Sequence, residues 1–250
     1  MRRVLNVLTV LLLLPCLPGG TASAQDEALA PADPAEVGMD ADRLARVDDV
    51  IGEAIEEGIT PGAVLLVARG GRIVRHRAYG RRAVVPASET MTLDTIFDLA
   101  SLTKPMATAA SVMKLVERGR VRLQDRVGVY LPEFAAEEKE GIRVDQLLTH
   151  TSGLAPYAPV DSLARRFGAP SREGVWTWIV ENEPLDEPGS RFRYSDLNYA
   201  TLARLVERVD GRGLEVFAAE ELYVPLGMTD TAFFPPDGVR DRIAPTEASV

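Results

Sequence analysis

Apolar positions in this chain recur with two different periods. Leu44, Val47, Ile51 and Ile55 fall at helical spacing, with Asp40 or Asp42 placed to cap the start and Gly58 and Pro61 to end it. Ala63–Ala68 is a continuous apolar run, which predicts a buried strand. Gly70-Gly71 marks a tight turn, and Ile73–Tyr79 then alternates, with Ile73, Arg75, Arg77 and Tyr79 sharing one face. Together they predict a β-hairpin. Residues 80–91 read as irregular.

The helical period returns behind Thr95–Ala100. A helix is expected from about Ser101 to Glu117, stopped at Gly119, with Pro105 near its first turn, where a missing N–H costs least. Val127, Val129 and Leu131 form a short apolar segment, and Phe134–Gly141 reads as charged and exposed. Asp145 is placed to cap a short helix over Gln146–Thr149. Ser171 and Glu173 open another helix, whose apolar residues are Val175, Trp176, Ile179 and Val180. Pro184–Arg193 reads as a loop. A helix over Leu197–Val209 follows, with Leu202, Leu205 and Val209 on one face and Gly211 after it.

The N-terminus follows a third pattern. Arg2-Arg3, an apolar run over Val4–Leu14 and Ala22-Ser23-Ala24 form the three parts of a secretory signal cleaved before Gln25. The run is short for a membrane span, which leaves an uncleaved anchor as the alternative. Cys16 invites a lipidation reading that the preceding Pro15 fits poorly. Cleavage after Ala24 leaves a chain without cysteine, exported and free of disulfides. Residues 25–37 read as a linker and 38–250 as the folded domain. The net charge of −9 argues against nucleic acid or an anionic membrane surface as a partner. Two distant histidines and no mature cysteine suggest no zinc site, and no cofactor or metal is expected.

Two stretches carry chemistry. A serine at the first turn of a helix has its own N–H free, at the positive end of the dipole, which suits a nucleophile whose reaction builds an oxyanion. Lys104 lies three residues on, on the same face as Ser101. The chain has 28 basic residues, of which only Lys104, Lys114 and Lys139 are lysines, and lysine can give up a proton where arginine cannot. The tetrapeptide alone equally fits a capping serine and a solvated lysine. In Tyr194-Ser195-Asp196, the tyrosine sits just before a helix, where a neighbouring ammonium would lower its pKa and make it a general base. A core aromatic followed by simple helix capping is the competing reading.

Ser101-x-x-Lys104, Leu148-Thr149-His150-Thr151-Ser152-Gly153-Leu154 and Tyr194-Ser195-Asp196-x-x-Tyr199, in this order, resemble the serine β-lactamase and penicillin-binding-protein group. The likeness is greatest to the class C β-lactamase-related branch, with its esterases and D-amino-acid peptidases. Pro225-Leu226-Gly227-Met228 fits it too. The resemblance implies an α+β fold, with an antiparallel sheet flanked by helices and a helical subdomain. It implies Ser101 as acylated nucleophile, Lys104 as holder or acceptor of its proton, Tyr194 as general base and position 196 as substrate-binding. The family commonly carries asparagine at 196. Asp196, when ionised, only accepts hydrogen bonds, which suits an ester better than a β-lactam or peptide amide. His150 lies in what the family carries as a structural turn and is not read as a triad base. The family's third motif, Lys-Thr-Gly or His-x-Gly, is absent after Tyr199, so the chain reads as the N-terminal part of a longer protein. The expected function is a secreted serine hydrolase acting on a small-molecule or peptidoglycan-type acyl substrate. The alternatives are a non-catalytic relative that binds acyl ligands and a globular protein with coincidental motifs.

Overall fold

A computed structural model describes residues 29–168 and 171–246; the proposed signal segment and its cleavage site lie outside them. The fold is α+β. Strand β1 (Ala30–Pro31) and a 3-10 turn (Pro34–Val37) occupy what the sequence suggested was linker. The turn is capped by Asp33 and stopped by Gly38, so local capping gives this acidic, Pro-rich stretch a defined shape. Helix α1 (Ala41–Glu56) is capped by Asp40, whose carboxylate accepts from Arg43 N–H.

Strands β2 (Gly62–Arg69) and β3 (Arg72–Ala83) pair antiparallel with a bulge at Val67/Ala68. β1 joins β3 in parallel, and β4 (Glu89–Thr90) adds to its far end, so β3 and β4 take up much of the stretch expected to be irregular. The sheet is therefore mixed, not wholly antiparallel. Nor is β2 fully buried, since Leu66 and Ala68 are exposed. The predicted Arg75/Arg77/Tyr79 face meets α1 through a single carboxylate. Asp48 accepts from Tyr79 Oη at 2.5 Å and from both guanidinium groups. The Tyr79 bond, then the two arginines, holds Asp48 below the usual carboxylate range against the effect of burial.

The main core is helical. α2 (Ala110–Glu117), α3 (Val144–Leu148), α4 (Val160–Phe167), α5 (Arg172–Glu181), α6 (Asp196–Asp210) and α7 (Leu214–Ala218) enclose it. Val112, Leu115, Leu147, Ile179, Leu202, Leu205 and Phe217 are almost wholly buried there. Both α4 and α7 lie where the sequence pattern predicted no element. Short helices of mixed composition carry too few periods to be seen in it. α3 starts at Val144, and Arg143, not Asp145, precedes it; Gln146 Oε1 accepts from Arg143 N–H at 2.9 Å.

The Phe134–Gly141 stretch corrects a second expectation. Its glutamates are exposed, but Phe134 and Lys139 are fully buried. Lys139 Nζ donates to the carbonyls of Asn182 at 2.7 Å, Val180 at 3.1 Å and Glu137 at 3.4 Å. It thereby satisfies the C-terminal end of α5, whose last carbonyls have no intrahelical donor. Three rotatable donors on a compact ammonium suit three converging carbonyls, which accounts for a lysine in an arginine-preferring chain. Burial pushes its pKa down. Lys139→Met leaves those carbonyls unpaired and is expected to lower unfolding stability by about 2–3 kcal/mol in urea denaturation; an unchanged midpoint would contradict this role.

Candidate active site

Ser101 does not sit in the first turn of a regular α-helix. It lies in a 3-10 turn (Ala100–Leu102), followed by a π-helical turn (Lys104–Ala109) that runs into α2. Pro105 explains the departure. It has no N–H to donate, and its ring would collide with the carbonyl four residues back, that of Ser101, so the chain widens there. Ala100 takes a left-handed φ of 43°, and Asp98 Oδ1 accepts its N–H at 2.8 Å. No acceptor among the described residues takes the Ser101 N–H, which leaves it free, as the sequence predicted on other grounds.

Tyr194 arrives on the 184–193 loop. That loop is zipped to the 150–153 turn by four backbone bonds: Leu185 N–H and Asp186 N–H to Gly153 O, Gly189 N–H to Thr151 O and Arg193 N–H to His150 O, at 2.8, 3.4, 2.7 and 2.8 Å. The approach is so close that a Cβ on Gly153, at φ +84°, would lie 1.9 Å from Asp186 O. Ser195 caps α6, its hydroxyl accepting from Leu197 N–H at 3.2 Å and donating to Ala155 O at 2.6 Å. Capping thus belongs to Ser195, which leaves the Asp196 carboxylate for the site.

Lys104 brings the two segments together. Its Nζ donates to Ser101 Oγ at 3.2 Å and lies 2.7 Å from Asp196 Oδ1. It also stands 5.1 Å from the centroid of the Tyr194 ring and 6.0 Å from that of Tyr199. The lysine side chain is 15% exposed and that of Asp196 is 60% exposed, so a largely buried cation meets a solvent-facing carboxylate. Burial works against the ammonium, but hydrogen bonds to Asp196 and then Tyr194 outweigh it, and its pKa lies above the ordinary lysine value. Hydrogen bonding to Ser101 first and Lys104 second holds the Tyr194 hydroxyl below the ordinary phenol range. The ammonium thus donates to Ser101 and pairs with Asp196, with the Tyr194 ring beside it. Lys104 is a fixed cation here, and of the two candidate bases Tyr194 is the one whose affinity for a proton is tuned downward.

Sequence reasoning passed over His150, Ser152 and Asn198 as site components. All three are buried, and the His150 ring stacks at 4.4 Å on Tyr194. Their one signal is composition, since polar side chains in a turn and an otherwise apolar helix face need partners when buried.

The Beta-lactamase family model matches residues 47–249. The chain belongs to the Beta-lactamase family. Among its relatives is the N-acetylmuramyl-L-alanine amidase of Bacillus subtilis (strain 168), 35% identical over 208 residues, covering 77% of this chain and 47% of the amidase. Among solved structures, EstCE1, a hydrolase with promiscuous acyltransferase activity, superposes with a TM-score of 0.70 at 31% identity over 80% of this chain and 55% of its own. A class C beta lactamase gives 0.70 at 25% identity over 83% and 56%. This Beta-lactamase-family chain therefore spans about half the length of the relatives it matches.

The Asp196 charge opposes ionisation of Tyr194. Asp196→Asn is therefore expected to lower the pKa of the Tyr194 phenol further, read by near-ultraviolet difference titration against Tyr194→Phe. An upward shift would mean that Asp196 acts on Tyr194 chiefly by holding Lys104 in place.

Proposed function

We propose that this chain carries the nucleophilic machinery of a serine acyl hydrolase acting through an acyl-enzyme on Ser101. The observation that carries this reading is the single Lys104 ammonium set between Ser101 Oγ and the Asp196 carboxylate, with the Tyr194 ring beside it. Lys104 occupies a lone pair of Ser101 Oγ, so the serine's own proton is free to point to the Tyr194 oxygen. Tyr194 as phenolate accepts that proton while Oγ forms a bond to the acyl carbon. Lys104 compensates the phenolate before the transfer and the serine oxygen during it. The free Ser101 N–H is one donor to the carbonyl oxygen as negative charge builds there. Tyr194 then returns the proton to the leaving group. In the second half it takes a proton from water as the water oxygen bonds to the acyl carbon, and passes that proton to Ser101 Oγ as the Oγ–acyl bond breaks, which restores the serine and the phenolate.

Asp196 bears on the substrate. A carboxylate already engaged with Lys104 has no hydrogen to offer an amide carbonyl, so esters and small acyl donors are favoured over β-lactams and peptides with side-chain amides. The neighbours described as an amidase and an acyl-transferring hydrolase share acyl chemistry at large. Export is part of the proposal and rests on the N-terminal pattern alone; mass spectrometry of exported protein is expected to find Gln25 first, and a lipidated Cys16 would contradict it.

The direct test is intact-mass analysis after exposure to a chromogenic activated ester. A single acyl adduct that maps to Ser101 and is absent from Ser101→Ala is expected. Tyr194→Phe should slow its formation by about 10²–10⁴-fold. Labelling that persists in Ser101→Ala would refute the assignment.

A further inference from the structure

Directly behind the Tyr194 ring lies a buried chain of hydrogen bonds that the hydrolytic reading does not use. Ser152 Oγ accepts from Leu154 N–H at 3.1 Å and donates to Asn198 Oδ1 at 2.5 Å. Asn198 Nδ2 lies 3.1 Å from His150 Nδ1, and Ser195 N–H donates to that same Nδ1 at 3.2 Å. A backbone N–H only donates, so Nδ1 is the unprotonated ring nitrogen, and Asn198 must approach it with its NH₂ group. The other end of the amide is then Oδ1, so the Ser152 hydroxyl must donate to it. Every direction in the chain is thus fixed, and His150, Ser152, Ser195 and Asn198 are all buried.

The relay ends on Tyr194 in two ways. Ser195 N–H belongs to the peptide that joins Tyr194 to α6, so Nδ1 holds the backbone on which the tyrosine rides. The imidazole itself packs at 4.4 Å and 33° on the Tyr194 ring and at 5.2 Å and 37° on that of Tyr199. Tyr199 is in turn tied by its hydroxyl to Leu148 O at 3.1 Å. His150 also sits at a left-handed φ of 58°, a conformation that persists in a non-glycine residue only where its surroundings impose it. Tyr194 is 45% exposed and lies at the end of a loop, so without this backing its ring would be free to swing out of the cleft.

We infer that His150 is the positioning residue for Tyr194, holding its backbone and ring face through a buried Ser152–Asn198–His150 relay. The inference rests on Tyr194 being the base of the proposed reaction. With both donors converging on Nδ1, that nitrogen has no capacity left for proton transfer, and the effect on chemistry passes through the tyrosine.

Three substitutions in the full chain separate the parts. His150→Phe keeps an aromatic face but orphans the Ser195 N–H and the Asn198 amide. His150→Asn keeps an acceptor near the Nδ1 position and a side chain that tolerates the left-handed backbone. With a p-nitrophenyl ester, His150→Phe is expected to lower kcat by about 100-fold with KM changed less than about threefold, as misplacement of a reacting group does. His150→Asn should recover at least about tenfold of that loss. Ser152→Ala, which removes one link without touching His150, should lower kcat by roughly tenfold and decides the matter if His150→Phe does not fold. The second readout needs no turnover: near-ultraviolet difference titration should move the Tyr194 phenol back toward the ordinary range in His150→Phe and Ser152→Ala, with circular dichroism unchanged. Folded variants with unaltered kcat and unaltered Tyr194 titration would overturn the inference. Absence of Ser101-dependent turnover in the unsubstituted chain would refute the hydrolytic proposal instead, and the phenol titration would still decide the role of His150.

Discussion

The site depends on where one ammonium group is held. Lys104 comes from the widened turn ahead of α2, and Tyr194 and Asp196 come from the entry to α6, 90 and 92 residues later; the ion pair at 2.7 Å is what closes the distance between the two segments. A partly buried cation is costly unless paired and hydrogen-bonded, and here it is paired with Asp196 and donates to Ser101. The consequence is a division of labour. In the proposed reaction the lysine stays charged, the tyrosine is drawn toward ionisation and the serine keeps its own proton available. In that reaction, removal of any one partner would disturb the protonation of the others.

The scaffold delivers that arrangement by two devices. Pro105 prevents a regular helix after Ser101, so the chain widens over Lys104–Ala109, and the Ser101 N–H in the turn before it is left free. On the other side, a loop with no regular structure of its own is fixed by backbone bonds to the 150–153 turn, with Gly153 permitting a contact no side chain would allow. The α6 cap and the His150 nitrogen then fix the peptide after Tyr194. The large helical core behind these elements supplies rigidity.

Much of this was legible in the sequence because it rests on local rules. The Leu202/Leu205 face of α6, the Asp40 cap, the Gly70-Gly71 hairpin and the one-turn spacing of Ser101 and Lys104 follow from period and capping alone. What escaped depends on contacts distant in sequence. Lys139 reads as part of a charged surface run until α5 brings its terminal carbonyls over it. Asp196 reads as a cap until Ser195 is seen to do that work. The role of His150 needs both Ser195 and Asn198, some forty-five residues away, and no spacing rule reaches that far. The order of the three motifs placed the chain among the β-lactamase relatives, and the matched family model and the shared fold agree.

The central claim is that Tyr194, ionised beside a permanently charged Lys104, takes the proton of Ser101. The pH dependence of the rate at which an activated ester acylates Ser101 tests it most directly. The account predicts a rate that rises through one ionisation with its midpoint below the ordinary phenol range, and loss of that ionisation in Tyr194→Phe. A profile of the same shape and midpoint in Tyr194→Phe would contradict it and pass the role of base to another group.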